Sequence, residues 1–397
     1  MGGRSPPTRI FNNFALPQNF GALFLSKIVL THFKNYSSQS ASFAGGINGI
    51  AGANGMGKTN LLDAVYFLCM CKSRFPVPDR LLIQHGAEFF RLEGTFVLDG
   101  KEEIVVAKLP KGRKKSLERD GAPYERISEH VGRYPVVMIA PDDTQLAMEG
   151  SEERRRFIDN TLSQIDAQYL LHLIRYNHIL RQRTAFLKMS AETARPFEEE
   201  LLAAYDRQME EPAAYIFERR LDFTGHFLPL FQQHYTAISG GQEQVSCAFQ
   251  SQLTERPFPE LLLAHREKDR LLQRTGAGIH RDDLEFLIEG YPVKQFASQG
   301  QLKSYVLAMK LAQYEMLRQE TGQYPILLLD DLFAKLDRRR VEHLMAWIVE
   351  RSFGQVIISD TELDRLSGVV LSHGSDCRFF EVNRGTITPR LDGLPEL

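Results

Sequence analysis

The sequence predicts an α/β protein in which one nucleotide-binding sheet is built from both ends of the chain, with a compact helical arm domain inserted between them. Three observations carry this. Residues Gly52-Ala-Asn-Gly-Met-Gly-Lys-Thr59 fit the phosphate-loop pattern G-x-x-x-x-G-K-[ST] at every position. Ile326-Leu-Leu-Leu-Asp-Asp331 is an apolar run ending in two acids, as a buried parallel strand reads at its ligand-facing end. Between them, from about Ser151 to Arg274, the texture is helical.

In chain order, residues 1–21 are rich in Gly, Pro, Asn and Phe and lack the charged and apolar regions of a signal peptide. They are expected to be a flexible tail or a mis-chosen start. Leu23–Phe33 and Ser38–Phe43 read as strands, and Asn48–Gly52 as a short buried strand entering the loop. Asn60–Leu68 reads as the helix leaving it. Phe90–Gly100 and Glu103–Leu109 pair as a hairpin across Asp99-Gly100, with a second Asp-Gly at 120–121. Val136–Ala140 is a buried strand that feeds an active-site loop at Pro141.

Helical periodicity then runs through Phe157, Ile158, Leu162, Ile165, Tyr169, Leu170, Leu173 and Ile174, and returns at Leu201, Leu202 and Tyr205. Pro196, Pro212, Pro229 and Pro257 predict several helices of moderate length. Strand texture resumes at Leu284–Ile288, Ile326–Asp330, Gln355–Ser359 and Arg378–Val382. The expected organisation is a tail (1–21), a head (22–158 with 275–397) and an inserted arm (159–274). Each limb of that arm has room for ~50 residues, ~75 Å if wholly helical, and the prolines shorten it. It has no C-x-x-C tip for a zinc hook.

The loop names its ligand. Backbone N–H groups of Gly52, Ala53, Asn54, Gly55, Met56 and Gly57 would curl around phosphate oxygens at the start of the helix that carries Asn60. Lys58 would reach the β- and γ-phosphates of ATP, and the Thr59 hydroxyl would ligate Mg²⁺. Asp330 is placed to hold Mg²⁺, and Asp331 to orient the attacking water. The plain alternative, a strand ending in two solvated aspartates, loses ground once a phosphate loop stands in the same chain.

Composition sets bounds. The chain has 48 Lys and Arg against 50 Asp and Glu, so no global basic field advertises a nucleic acid. The four cysteines are too few and scattered for a disulfide framework, and Cys69 and Cys71 read as core thiols. No run is long and apolar enough to span a membrane, and a cytoplasmic, nucleoid-associated protein is expected.

Phe296-Ala-Ser-Gln-Gly-Gln301 opens a helix upstream of the acidic strand. Ser298 makes a good N-cap, and Gly300 lets a phosphate approach. At this position it resembles the signature motif of ABC-type ATPases. With Phe33-Lys-Asn-Tyr36, Arg154-Arg-Arg-Phe-Ile-Asp159, Gly278-Ile-His-Arg-Asp-Asp-Leu284 and Leu329-Asp-Asp-Leu-Phe-Ala-Lys-Leu-Asp337, the chain resembles the RecF family of bacterial recombination mediators. These are relatives of the SMC heads.

The resemblance implies an ATP-dependent homodimer that binds duplex DNA beside single-strand gaps, hydrolyses ATP slowly, and acts with RecO and RecR to load RecA. It implies that Ser298, Gln299, Gly300 and Gln301 act on the partner's nucleotide, that Asp337 belongs to the interface loop, and that Lys34 and Asn35 lie near the nucleotide. Another short-armed SMC-like ABC ATPase, of a defence or nuclease-associated system, is the alternative. The chain departs from the wider pattern in two places. Ser359-Asp-Thr361 stands where many ABC heads carry a γ-phosphate-sensing His. Pro141-Asp-Asp143 stands where a Gln loop is expected, with Gln145 the candidate. His280-Arg-Asp-Asp283 reads as an interfacial charge cluster.

Candidate DNA-phosphate contacts are Lys111, Arg113, Lys114 and Lys115 on a hairpin tip, and Arg181 and Arg183 on the arm. For each, a solvated surface charge is the plainer reading. Arg338-Arg-Arg340 reads as a helix start, and among Arg154–Arg156 at least one is structural or interfacial. Contacts of this kind are backbone-directed and salt-sensitive.

Overall fold

The computed structural model describes residues 22–192, 197–241, 243–331, 353–371 and 376–390. Its organising element is α1 (Lys58–Met70), in which Leu61, Leu62, Ala64, Val65, Phe67 and Leu68 are all fully buried. A helix that is apolar all round needs cover on every side. Two sheets supply it.

The first sheet contains β3 (Ile47–Ala51), β8 (Val136–Ile139), β12 (Ile326–Leu329), β13 (Val356–Asp360), β14 (Cys377–Asn383) and β15 (Thr386–Arg390). Its order is β15-β14-β3-β13-β12-β8, parallel throughout except for the β14–β15 hairpin. Strands from the two ends of the chain are thus interleaved in one sheet, as the split motifs predict. α1 covers one face. On the other, Leu307, Leu311 and Leu317 of α8 (Gln299–Thr321) pack on Val137, Leu327, Leu329 and Ile358. Cover on both faces is why these strands read as unbroken apolar runs.

The second sheet is antiparallel: β1 (Leu23–Phe33), β2 (Tyr36–Ser42), β4 (Phe89–Leu98), β5 (Lys101–Pro110), β6 (Ser116–Arg119) and β7 (Ala122–Pro123), in the order β2-β1-β4-β5-β6-β7. The β4–β5 turn is Asp99-Gly100, with φ of +50° and +77°. Such a two-residue turn needs positive φ at both positions. Cys69 and Cys71 are buried thiols as expected, and burial pushes Cys71 up to about 12.

The helical part consists of α3 (Ser151–Ile165), α4 (Ala167–Glu192), α5 (Glu199–Ser239) and α6 (Phe258–Leu272). One expectation is corrected here. α5 continues for 41 residues through Pro212 and Pro229, about 60 Å of helix. An interior proline costs about 3 kcal/mol. Packing along the helix outweighs that cost. Phe223, Phe227 and Phe231 stack at i, i+4 spacing with centroids 5.0 and 6.0 Å apart, and Phe231 meets Tyr305 of α8 at 4.7 Å. Pro257 does precede a helix start, whereas Pro196 lies outside the described residues.

β9 (Val245–Gln250), from the expected arm, pairs with β10 (Asp283–Ile288), from the expected head, so strand pairing crosses the boundary drawn at 274/275. Buried charge joins the same regions. Arg220 of α5 donates to Asp282 Oδ2 at 2.7 Å, Ile279 O at 2.7 Å and Asp159 Oδ1 at 2.8 Å. No described helix is long and apolar enough to cross a membrane.

Candidate nucleotide-binding site

All five residues of β3 are buried, and the chain emerges from it at Gly52. A Cβ on Gly52 would lie 2.3 Å from Val382 O, and one on Gly57 2.4 Å from Asn35 Nδ2. Gly57 also holds φ +120°. Glycine is therefore required at both points by close approach and, at Gly57, by backbone conformation. Ala53, Asn54 and Gly55 are exposed at the crest of the loop.

The loop is braced from outside. Asn35 Nδ2 donates to Met56 O at 3.1 Å, Asn60 Nδ2 to Asn35 Oδ1 at 2.7 Å, and Tyr36 OH to Gly57 O at 2.8 Å. The Gly385 N–H reaches Met56 O at 3.0 Å. Asn35 thus touches the loop directly. Lys34 turns to α1, where its Nζ lies 2.6 Å from Asp63 and over the Phe75 ring.

The two sequence-distant halves of the site meet. Lys58 Nζ is buried and donates to Gly52 O at 2.7 Å and Ala53 O at 3.3 Å, with Asp331 Oδ1 3.5 Å away. Thr59 Oγ1 donates to Asp330 Oδ2 at 2.8 Å across 271 residues of sequence. Burial raises the Asp330 pKa, opposed by hydrogen bonds from Ser359 and Thr59. Asp331 adopts φ +43°. Thr59 and Asp330 together present the hard oxygen donors that suit Mg²⁺.

The stretch standing in place of a switch histidine divides its work. Ser359 Oγ donates to Asp330 Oδ1 at 2.7 Å and accepts the Asp331 N–H at 3.0 Å. Asp360 is buried and accepts Arg365 Nε at 2.8 Å, while its carbonyl accepts the Gly52 N–H at 3.2 Å. The sequence marks the Ser359–Thr361 stretch by its place after the last core strand, but not the task of Ser359, whose hydroxyl ends an otherwise apolar Val-Ile-Ile run.

Ser298 caps α8 as predicted. Its Oγ accepts the Gln301 N–H at 3.2 Å, and the Ser298 N–H donates to Gln301 Oε1 at 2.7 Å. Gln301 Nε2 donates to Glu243 at 2.6 Å. Within one chain these side chains bond to each other and to Glu243, not to the loop at 52–59. Ser298 and Gln299 are exposed, and Gly300 is half-buried. Gln145 is exposed and follows Asp143, whose buried carboxylate takes Lys310 at 3.0 Å and also pairs with Arg74. Asp337 and Arg338–Arg340 lie outside the described residues.

The basic candidates separate by depth. Lys111, Arg113 and Lys114 are exposed after β5, with Lys111 3.1 Å from Glu88, and Arg181 is exposed on α4. Lys115 is instead fixed by Asp79 at 2.8 Å and Cys71 O at 2.5 Å. Arg183 is corrected outright. It is 0% exposed and bonds Asp206, Asp269 and Thr275, so it cannot reach a DNA phosphate.

Arg154 forms a bidentate pair with Asp283, and Arg155 donates to Asp282 O at 2.7 Å. His280 Nδ1 lies 2.8 Å from Tyr176 OH. The His280–Asp283 stretch is thus largely an internal brace between arm and head, not the interfacial cluster expected, although Arg281 is exposed.

Residues 24–368 match the model of the RecF/RecN/SMC N-terminal domain. The DNA replication and repair protein RecF of Flavobacterium johnsoniae is 41% identical over 360 residues, spanning 91% of this chain and 100% of that protein. The chain belongs to the RecF family. RecF of Cytophaga hutchinsonii is 41% identical over 92% of this chain and 96% of its own length. Among solved structures, a recombination mediator protein RecF–ATP of the RecFOR pathway matches with TM-score 0.83 at 26% identity, covering 94% of this chain and 99% of that one. The Smc head of Pyrococcus furiosus, at TM-score 0.54 and 18% identity, shares the fold. RecF proteins of known fold thus share the ABC-type ATPase head described above.

Proposed function

We propose that this RecF-family chain binds ATP with Mg²⁺ at Gly52–Asn60, pairs with a second copy around the nucleotide, and in that state holds duplex DNA at single-strand gaps. Slow hydrolysis then resets the dimer. The observation that carries the reading is the 2.8 Å contact between Thr59 Oγ1 and Asp330, which unites the phosphate loop with the acidic strand.

In this reading the loop N–H groups and the α1 N-terminus hold the β- and γ-phosphates. Lys58 leaves the Gly52 and Ala53 carbonyls for the γ-phosphate. Thr59 and Asp330 would hold Mg²⁺, which would neutralise charge developing on the phosphoryl group. Asp331 orients the attacking water. Ser298, exposed at the start of α8, meets the partner's γ-phosphate with the helix dipole behind it. Arg113 and Lys114 contact DNA phosphates, and RecO and RecR act with the complex to load RecA.

Equilibrium binding of a fluorescent ATP analogue tests the first step. Lys58→Met removes a charged donor worth about 2–3 kcal/mol, so affinity should fall about 30- to 150-fold. Equal affinity in wild type and Lys58→Met would contradict the site.

A further inference from the structure

β13 is seated between the phosphate-loop strand and the acid strand, and Ser359 lies at its carboxyl end in register with Ile50 of β3. Its side chain is fully buried. One hydroxyl serves two partners in different ways. Its proton goes to Asp330 Oδ1 at 2.7 Å, and its lone pair takes the Asp331 N–H at 3.0 Å. Here the hydroxyl grips the carboxylate that also receives Thr59, from the opposite direction in sequence. It also anchors the amide of a non-glycine residue held at φ +43°, a conformation that Asp tolerates without favouring. The neighbouring Asp360 turns to Arg365 and does not compete for this role.

We propose that Ser359 is a positioning residue of the nucleotide site. Its hydroxyl aims the Asp330 carboxylate at the metal side and locks Asp331 in the backbone conformation that presents its carboxylate to the attacking water. The inference rests on the ATP·Mg²⁺ reading above and assigns a task to the position where a histidine is absent.

Magnesium titrations of fluorescent ATP-analogue binding, with turnover measured alongside, test it on the full chain. Ser359→Ala should raise the Mg²⁺ half-saturation about 10- to 100-fold, the usual effect of removing a group that orients a metal ligand. Binding of the analogue without metal should stay at the wild-type level. Ser359→Thr keeps the hydroxyl and should stay near wild type. Ser359→Cys, similar in size but a weak donor, should behave like Ser359→Ala, and decides the matter if the alanine variant does not fold. An unaltered Mg²⁺ requirement in Ser359→Ala, or equal behaviour of the Cys and Thr variants, would overturn the inference. A wild type whose nucleotide binding ignores Mg²⁺ would overturn the parent reading as well.

Discussion

His130 is a buried ring and His280 a half-buried one, each with partners suited to the neutral form. His130 Nε2 meets Leu68 O at 2.7 Å, and His280 Nε2 meets Thr275 O at 3.1 Å. Burial lowers each from 6.5 to about 4. The unfolded ring takes a proton below about 6.5 that the folded ring refuses until about 4. Their contribution is therefore complete above pH 6.5 and declines as pH falls towards 4, by about 3 kcal/mol each at the limit. Denaturation midpoints across that window should fall steeply in wild type and less so in His130→Gln/His280→Gln. Identical slopes would remove the histidines as the cause. At the residue scale, motif spacing leads to the Thr59–Asp330 contact and to the Ser298 N-cap. Depth is not legible in the same way. Arg183 resembles Arg181 in sequence, yet its partners Asp206 and Asp269 stand 23 and 86 residues away, and no local pattern shows them.

Elements were legible wherever periodicity and turn chemistry agreed. The Asp99-Gly100 hairpin, the buried strands of the parallel sheet and the capped helix at Ser298 follow that rule. α5 did not, because a local penalty at Pro212 and Pro229 was outweighed by the Phe223–Phe227–Phe231 ladder and its contact with α8. Tertiary packing is invisible to a propensity argument. The two prolines differ. Pro212 is buried, whereas Pro229 is exposed four residues after Gly225. Pro229→Ala restores a helical N–H and should stabilise the protein by about 1–3 kcal/mol in denaturant unfolding. A destabilised variant would mean that the proline ring at 229 is itself required by the packing of α5.

At the scale of the whole molecule, the phosphate loop and the exposed start of α8 do not bond each other among the described residues. Lys58, Thr59, Asp330 and Asp331 converge within the chain, while Ser298 is exposed and, among the described residues, its side chain bonds within its own cap. A second copy, presenting its Ser298 to this chain's loop, is what the proposed mechanism requires. Bulk charge gave no hint of DNA, since 48 basic and 50 acidic residues nearly cancel. The exposed Arg113 and Lys114 make any contact local and salt-sensitive. The deciding measurement is the mass in solution by light scattering, with and without ATP·Mg²⁺ and a gapped duplex, for wild type and Asp331→Asn. ATP should move the 45.3 kDa monomer towards twice that mass, gapped duplex should strengthen the dimer, and Asp331→Asn, binding ATP without hydrolysing it, should hold it longest. A monomer under every condition, with ATP still hydrolysed, would contradict the proposed dimer.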